Sequence, residues 1–275
     1  MADQNDTVKV SATDDGICII SINRPNRRNA VDPTTAHKLY DAFLAFEADD
    51  AQKICVLYGE NGTFCAGADL HEVSRLKPEQ MGTPRTFEER SLGPMGPSRL
   101  QVRKPVIAAV AGHAVAGGLE LSLLGDLRVV EESAIFGVFC RRWGVPLIDG
   151  GTVRLQRVVG LGRAMDMILT GRPVDARKAL QMGLANHVVP DGQALQEALV
   201  IARQLVQFPQ LCMRADRDST YHAAYEATSF HDAMKFEYER GWPIVAAEST
   251  AGAARFSAGQ GRHGSFKEFN SKSKL

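Results

Sequence analysis

The sequence has 275 residues, and the 44% that are apolar are enough to bury a substantial core in one large domain or two small ones. Basic and acidic residues balance at 32 each, and no stretch approaches the length of a membrane span, so we expect neither a nucleic-acid partner nor a membrane partner. The five cysteines lack metal-ligand spacing and the first ten residues lack signal-peptide features, which predicts a metal-free cytoplasmic protein with buried thiols.

The first third of the chain alternates strand and helix signals. Strands are predicted at Val8–Ala12, Ile17–Ile22 and Ile54–Tyr58, with a helix from Pro33 to about Asp49 that Asp32 caps. The loop 23–30 carries three arginines, which serve either an anionic ligand or simply a solvated loop.

The strongest pattern lies at 105–126. An apolar run at Val106–Ala111 predicts a buried strand, a small-residue turn follows at Gly112–Gly118, and an apolar helical segment then carries Glu120. A helix that starts after such a turn leaves backbone N–H groups free to hold negative charge. The turn at Phe64–Leu70 also follows an apolar strand, so the two turns can aim two N–H groups at one oxygen. Glu120 is either a capping carboxylate or part of such a site.

The segments on either side of this stretch are less regular. Residues 71–104 are polar and predict a mobile excursion over a site rather than core. After the central stretch the loop 138–152 combines apolar residues with Arg141, Arg142 and Asp149. Further predicted elements are strands at Leu127–Val130 and Ala134–Gly137, helices at Val153–Thr170 (interrupted or bent at Gly160 and Gly162) and Asp175–Met182, and an extended piece at Val188–Pro190.

The remainder of the chain shows only helical periodicity. One apolar stripe stops near Pro209, and two more helices are predicted at Thr220–Arg240 and Ile244–Phe256, with Pro243 in the first position of the last. We therefore expect an α/β core over residues 1–199 and an all-helical region over residues 200–275.

These motifs, taken in order, resemble the crotonase family, also called the enoyl-CoA hydratase/isomerase superfamily. The resemblance covers about residues 8–260 and rests on the segments Asn23–Pro25, Phe64–Leu70, Gly112–Leu121, Phe136-Gly137, Gly150–Thr152 and Gly171–Pro173. It implies a ββα spiral core with a C-terminal helical trimerisation region. It also implies acyl-CoA thioester substrates, a homotrimer or a hexamer, and no cofactor beyond the CoA that the substrate carries.

The resemblance also implies roles for single residues. The N–H groups of Ala68 and Gly117 match the oxyanion hole, where two donors stabilise the enolate of a thioester. Positions in contact with the substrate or its CoA are matched by Arg27, Arg28, Ala66, Asp69, Leu70, Cys140 and Phe256.

The second carboxylate of the family pattern is missing. Family hydratases place two glutamates around a water; the first matches Glu120, whereas the second falls on Cys140. Cys140 is either a small packed residue or a thiolate activated by Arg141 and Arg142. Asp149 lies where some family members, including dienoyl-CoA isomerases, carry an acidic residue. It is either a catalytic acid/base or the N-cap of the helix that follows.

We therefore expect an acyl-CoA enzyme of the enoyl-CoA hydratase type, with isomerase as the second choice. Because Cys140 replaces a glutamate, other family chemistries stay open, namely a hydroxyacyl-CoA dehydratase or a decarboxylase. A relative that binds acyl-CoA or RNA without catalysis also stays open, although the zero net charge argues against RNA.

Overall fold

The computed structural model describes residues 6–76 and 88–259 of the chain. The strands are β1 Val8–Ala12, β2 Ile17–Ile22, β3 Ile54–Gly59, β4 Val106–Val110, β5 His113–Val115, β6 Leu127–Glu131, β7 Ile135–Gly137, β8 Val174–Asp175 and β9 His187–Val189. The helices are α1 Pro33–Ala48, α2 Leu70–Val73, α3 Gly117–Ser122, α4 Gly151–Val159, α5 Leu161–Thr170, α6 Ala176–Gln181, α7 Ala194–Gln207, α8 Gln210–Tyr225, α9 Phe230–Ile244 and α10 Thr250–Ser257.

The core is built on a six-stranded sheet in the order β1-β2-β3-β4-β6-β9. Only the β1–β2 pair, a hairpin, is antiparallel, and all other neighbours are parallel. Strands β2, β3 and β4 are almost entirely apolar, as expected for a sheet that is covered on both faces. Helix α1 supplies part of that cover through Leu39, Phe43 and Phe46.

A smaller sheet positions the two small-residue turns. Its order is β5-β7-β8, and β5 follows β4 after a sharp bend at Gly112, whose φ is +55°. A Cβ at Gly112 would overlap the carbonyl oxygen of Gly62, so only glycine allows the two loops to pass this closely. Strand β5 leads directly into α3 and extends the strand signal of the central stretch by three residues that the sequence pattern assigned to a turn.

The segment that precedes β4 contradicts its prediction as a mobile excursion. Residues 77–87 lie outside the described residues, but Met95, Ser98, Leu100 and Val102 are buried. A tight turn in which Gly93 and Gly96 exchange backbone hydrogen bonds of 2.9 Å carries this segment into the core. The error arose because glycine and proline indicate a turn but not whether that turn is buried.

Two helix predictions are also corrected. The predicted helix Thr220–Arg240 is two helices, because α8 ends at Tyr225 and α9 begins after the N-cap Ser229. Pro243 does not start a helix but lies inside α9, and a π-helical segment, Val245–Ser249, follows directly. Proline removes a backbone donor from the helix, and the regular α-helical pattern ends directly after it. The predicted interruption near Gly160 is confirmed, since α4 and α5 are separate there.

The chain divides into two compact units, and the division lies inside α7, after Ala202. The second unit consists of helices. Within it Arg240 of α9 pairs with Asp218 of α8, and His222 stacks on Phe236 with ring centroids 4.0 Å apart. None of the helices among the described residues combines the length and apolarity needed to cross a membrane.

Candidate active site

The two small-residue turns lie against each other. Strand β5 pairs with the start of the Phe64–Leu70 turn, since Cys65 N donates to His113 O at 2.9 Å and Val115 N donates to Cys65 O at 3.1 Å. A Cβ at Gly67 would lie 3.1 Å from the backbone nitrogen of Gly117. Glycine at 67, with φ of +98°, therefore lets one turn approach the backbone of the other.

The N–H groups of Ala68 and Gly117 are both unengaged by the described residues. On one side of Ala68 the chain pairs with Val31, through Val31 N to Gly67 O and Asp69 N to Val31 O, both at 2.8 Å. Because backbone groups alternate along an extended segment, the Ala68 N–H faces away from that pairing. Gly117 is the first residue of α3, where a helix N–H has no partner within its own helix.

Backbone strain is concentrated at the same place. Ala116, the residue before α3, has φ of +53° and ψ of −124°, a conformation that a residue with a Cβ rarely adopts. Such strain costs on the order of 1–3 kcal/mol and is found mainly at functional sites. Met95 packs closely against the turn: a Cβ added at Gly117 would lie only 2.6 Å from the Met95 sulfur.

Glu120 is buried at the other end of the first turn of α3, with 2% of its surface exposed. Its Oε1 accepts hydrogen bonds from the backbone N–H of Asp149 at 2.9 Å and of Gly151 at 2.8 Å. Glu120 thus caps the N-terminus of α4, not of its own helix. Burial raises its pKa to about 7, and the neighbouring Asp149 carboxylate contributes to the increase. The two N–H groups act in the opposite direction.

Asp149 is also buried, and it does not cap α4. The N-cap of that helix is Gly150, which offers no side chain, so the N-cap interpretation of Asp149 is wrong. Its Oδ1 accepts from Met95 N at 2.9 Å and from the hydroxyl of Ser98. Burial raises the pKa of Asp149, although these two donors and the nearby charges of Arg99 and Arg154 oppose the increase. Asp149 and Glu120 are therefore two adjacent buried carboxyl groups.

The partners of Asp149 were missed by sequence reasoning. Ser98 and Met95 lie in the segment predicted as an excursion, and Arg154 lies one turn into α4. Arg154 Nη1 donates to Ser98 O at 2.8 Å, and Nη2 donates to Leu100 O at 3.1 Å. The only signal available in the sequence was a tight Gly-Pro turn that contains a serine.

Cys140 lies near Glu120, in surroundings that raise the pKa of its thiol. It lies in a 3₁₀ helix, Phe139–Trp143, and is 6% exposed. Burial raises the pKa of its thiol and the charge of Glu120 raises it further, while Arg141 opposes only weakly. Arg141 donates instead to Ile168 O at 3.1 Å, and Arg142 lies over the Phe139 ring. The arginines therefore do not bring the pKa of the thiol below its ordinary value, which favours Cys140 as a small packed residue over a thiolate.

Of the residues predicted to contact CoA, Arg27, Arg28 and Leu70 are exposed, and Arg28 O accepts from Ala66 N at 3.1 Å. Asp69 is buried, and its Oδ2 lies 3.1 Å from Arg24 Nη2. These residues lie together at the Ala68 end of the site, and their contact with CoA stays a prediction.

The three arginines of the loop 23–30 differ in their contacts. Arg24 is not a free ligand for an anion, because it also pairs with Asp32 at 2.7 Å and so joins the N-caps of α1 and α2. Arg27 and Arg28 are exposed, with Arg27 Nε 4.0 Å from Asp69 Oδ2, and the choice between an anionic ligand and a solvated loop stays a prediction for both. Phe256 belongs to the second unit, where its ring is exposed, and its contact with CoA stays a prediction.

Comparison with known proteins identifies the relationship. The family model for enoyl-CoA hydratase/isomerase matches residues 12–240. The chain belongs to this enzyme family. An enoyl-CoA hydratase of Mycobacterium tuberculosis, EchA19, is 39% identical over 188 residues, which are 67% of this chain and 69% of the relative. The human enoyl-CoA hydratase domain-containing protein 2, named as mitochondrial, is 37% identical over 72% of this chain and 67% of its own length.

A solved enoyl-CoA hydratase from M. tuberculosis superposes with a TM-score of 0.81 at 31% identity, covering 92% of this chain and 96% of that one. The crotonase fold and the family inferred from the sequence are thereby confirmed. This member of the enoyl-CoA hydratase/isomerase family is an enoyl-CoA hydratase-like enzyme in which Cys140 and Asp149 lie beside Glu120.

The raised pKa of Glu120 predicts how the stability of this family member depends on pH. Between its ordinary value of 4.5 and about 7, Glu120 is protonated in the folded protein and ionised in the unfolded chain. Unfolding then releases a proton. The stability that Glu120 contributes through its raised pKa is therefore fully present below pH 4.5 and is lost as the pH rises through about 7. At 1.36 kcal/mol per pKa unit the loss is about 3 kcal/mol.

Urea unfolding of the wild type and of Glu120→Gln, carried out at about pH 5 and about pH 7.5, measures this effect. We expect the wild type to lose stability relative to the variant at the higher pH, because glutamine does not titrate. An equal difference in unfolding free energy at both pH values would contradict the assigned protonation of Glu120.

Proposed function

We propose that this enzyme adds water to an enoyl-CoA thioester, with the N–H groups of Ala68 and Gly117 as its oxyanion hole and Glu120 as its main proton-transfer group. The observation that carries the proposal is the 2.9 Å hydrogen bond from Asp149 N to Glu120 Oε1. It holds two buried carboxyl groups side by side, one turn of helix from the Gly117 N–H. No metal or separate cofactor is part of the proposal.

The hydration step needs a base, an acid and a site for negative charge. Glu120 takes a proton from water as the water oxygen bonds to Cβ of the enoyl chain, and the electron pair of the double bond moves onto the thioester oxygen. Two backbone N–H groups stabilise that enolate by about 3 kcal/mol each. The enolate then takes a proton at Cα from a carboxylic acid, either Glu120 or Asp149.

The oxygens of these carboxyl groups support the assignment. Glu120 is anchored through Oε1 and Asp149 through Oδ1. Their second oxygens, Oε2 and Oδ2, accept no hydrogen bond from the described residues. Each residue thus has one oxygen for holding its position and one for exchanging a proton. A pKa of about 7 suits Glu120 to both directions of transfer near neutral pH.

Double-bond isomerisation of a 3-enoyl-CoA or dienoyl-CoA is the second candidate, and Cys140 favours it. A neutral thiol holds a water poorly and does not replace a glutamate as acid or base, which weakens water addition. Moving a proton between two carbons of the chain needs only the Glu120 and Asp149 carboxyl groups and the same enolate. Contacts with the substrate or its CoA are part of both candidates; they are made by Arg27, Arg28, Ala66, Asp69, Leu70, Cys140 and Phe256.

The experiment measures absorbance of the conjugated enoyl thioester in the presence of the purified protein. Hydration of crotonyl-CoA lowers this absorbance, whereas isomerisation of a 3-enoyl-CoA raises it, and a dienoyl-CoA is tested in parallel. We expect turnover of at least one of these thioesters. A protein that turns over none of them and shows no heat of CoA binding contradicts the proposal and leaves a non-catalytic relative, for which an RNA shift assay is the next test.

We also propose that the protein assembles as a homotrimer or a hexamer. Large apolar side chains of the second unit are exposed in the single chain, which supports burial against another copy. They are Phe230, Tyr238, Trp242 and Phe256. Sedimentation that yields only the 29.9 kDa monomer contradicts this assembly. A cytoplasmic location stays a prediction.

A further inference from the structure

We propose that Ser98 is a positioning residue for Asp149, because its hydroxyl holds Oδ1 so that Oδ2 is the oxygen that exchanges protons with the acyl chain. The inference rests on the proposed function, since it assumes that Asp149 transfers a proton. It concerns a residue outside the two turns and the Glu120 helix, and it assigns a task to the buried Gly93–Leu100 segment.

The first support is the geometry around the Asp149 carboxyl group. Oδ1 receives two donors from one side, the Met95 N–H at 2.9 Å and the Ser98 hydroxyl. On the other side the backbone N–H of Asp149 is held by Glu120 at 2.9 Å. The main chain and Oδ1 of Asp149 are thus both held by hydrogen bonds, whereas Oδ2 accepts none from the described residues.

The second support is the set of hydrogen bonds from Arg154 that holds the segment of Ser98 in place. Arg154 of α4 donates from Nη1 to Ser98 O at 2.8 Å and to Asp149 O at 3.4 Å, and from Nη2 to Leu100 O at 3.1 Å. One guanidinium therefore joins the two segments that carry Ser98 and Asp149. Its planar fork fixes the distance between them, which a flexible ammonium does not do.

The third support is the absence of a side chain at Gly93 and Gly150. A Cβ at Gly93 would lie 3.0 Å from Asp149 Oδ1 and would overlap the Ser98 hydroxyl. A Cβ at Gly150 would overlap the Arg154 guanidinium, and Gly150 has φ of +95°. The absence of a Cβ at both positions leaves room for the hydrogen-bond network of Ser98, Asp149 and Arg154, so the local backbone is fitted to this network.

The charges around Asp149 determine what removal of the hydroxyl does. Among the described residues, the charged groups with the largest effects on this pocket are Glu120 of α3, Arg99 of the 3₁₀ helix Pro97–Arg99 and Arg154 of α4. The Ser98 hydroxyl is the strongest of the groups that hold the pKa of Asp149 down against burial. Ser98→Ala removes that donor and leaves every charge in place. The carboxylate is then stabilised less and is protonated more readily.

The test is the pH dependence of kcat/KM on the thioester that the enzyme turns over, in wild type, Ser98→Ala, Asp149→Asn and the double variant. The limb of the pH profile of kcat/KM that disappears in Asp149→Asn is the one that reports the titration of Asp149. We expect Ser98→Ala to move that limb up by about half a pH unit to one unit, a three- to tenfold change in acid dissociation. We also expect a lower kcat with little change in KM, because CoA contacts are untouched.

The double variant separates positioning from a general structural effect. If Ser98 acts only through Asp149, Ser98→Ala has no further effect on kcat once Asp149→Asn is present. The matched control is Ser122→Ala, which removes a buried hydroxyl that bonds within α3 to Leu119 O at 2.7 Å. Ser122→Ala is expected to keep the wild-type profile.

The outcomes distinguish the inference from the proposed function. An unmoved limb in Ser98→Ala, or an equal loss of kcat in both backgrounds, overturns the inference and leaves acid/base chemistry by Asp149 intact. A wild-type rate in Asp149→Asn overturns the role of Asp149 and with it the inference, while enolate chemistry by Glu120 stands.

Discussion

Glu120→Gln is expected to lower kcat by about 10²- to 10⁴-fold and to leave the fold intact, because a positioned general acid or base contributes that much to a rate. The substitution keeps the size of the side chain. The amide oxygen of glutamine still accepts the N–H groups of Asp149 and Gly151, which Glu120 Oε1 accepts at 2.9 and 2.8 Å. Only the capacity to take up and release a proton is lost. Steady-state rates on the preferred thioester measure the effect.

The control for this variant is Glu132→Gln, an exposed glutamate in the turn after β6. It removes one charge without touching the site, so its kcat is expected to equal that of the wild type. Both variants are compared by circular dichroism at the assay temperature. A Glu120→Gln protein that is folded and retains more than about a tenth of the wild-type kcat contradicts the proton-transfer role of Glu120.

Gly118→Ala is expected to reduce stability and activity together. A Cβ at residue 118 would lie less than 3.0 Å from the carbonyl oxygen of Cys65, which is backbone and has no rotamer to change. The two turns must then separate, at a cost of about 3 kcal/mol in unfolding free energy. Because Ala68 and Gly117 lie on opposite sides of this contact, we expect about a 10²-fold loss of kcat from misplaced donors. Urea titrations and steady-state kinetics measure the two effects.

Gly162→Ala is the matched control, since Gly162 lies in α5 and a Cβ added there would have no neighbouring atom within 4 Å. Alanine is favoured over glycine in a helix by about 1 kcal/mol, so this variant is expected to be slightly more stable and fully active. If Gly118→Ala keeps wild-type stability and kcat, the close approach of the two turns is not what orders the site.

The α/β core was predictable because each element carries its own local signal. The continuous apolar runs of β2, β3 and β4 indicate strands buried on both faces, and the structure places them at the centre of the large sheet. The start of α1 followed from Asp32 and Pro33, and the Asp32 side chain accepts from Thr35 N at 2.7 Å. Glu120 was conspicuous because a carboxylate stood among apolar residues.

The partners of the carboxyl groups were not predictable, because they come from distant parts of the chain. Asp149 binds Ser98 and Met95 from a segment whose composition resembles an exposed loop. Glu120 caps a helix that begins 31 residues later, which no helix-start rule anticipates. The polarity of 88–104 was misleading because most of its few apolar residues, Met95 and Leu100 among them, are buried, and Ser98 is buried with them.

The central claim is that the Ala68 and Gly117 N–H groups bind one thioester oxygen beside Glu120, and a crystal structure of Glu120→Gln with crotonyl-CoA tests it most directly. The variant keeps the site and slows turnover, so the bound thioester is observable. We expect the carbonyl oxygen to lie about 2.7–3.1 Å from both nitrogens, with residue 120 facing Cα and Cβ. A carbonyl oxygen that bonds to neither N–H group, or an acyl chain on the far side of α3 from residue 120, would contradict the claim.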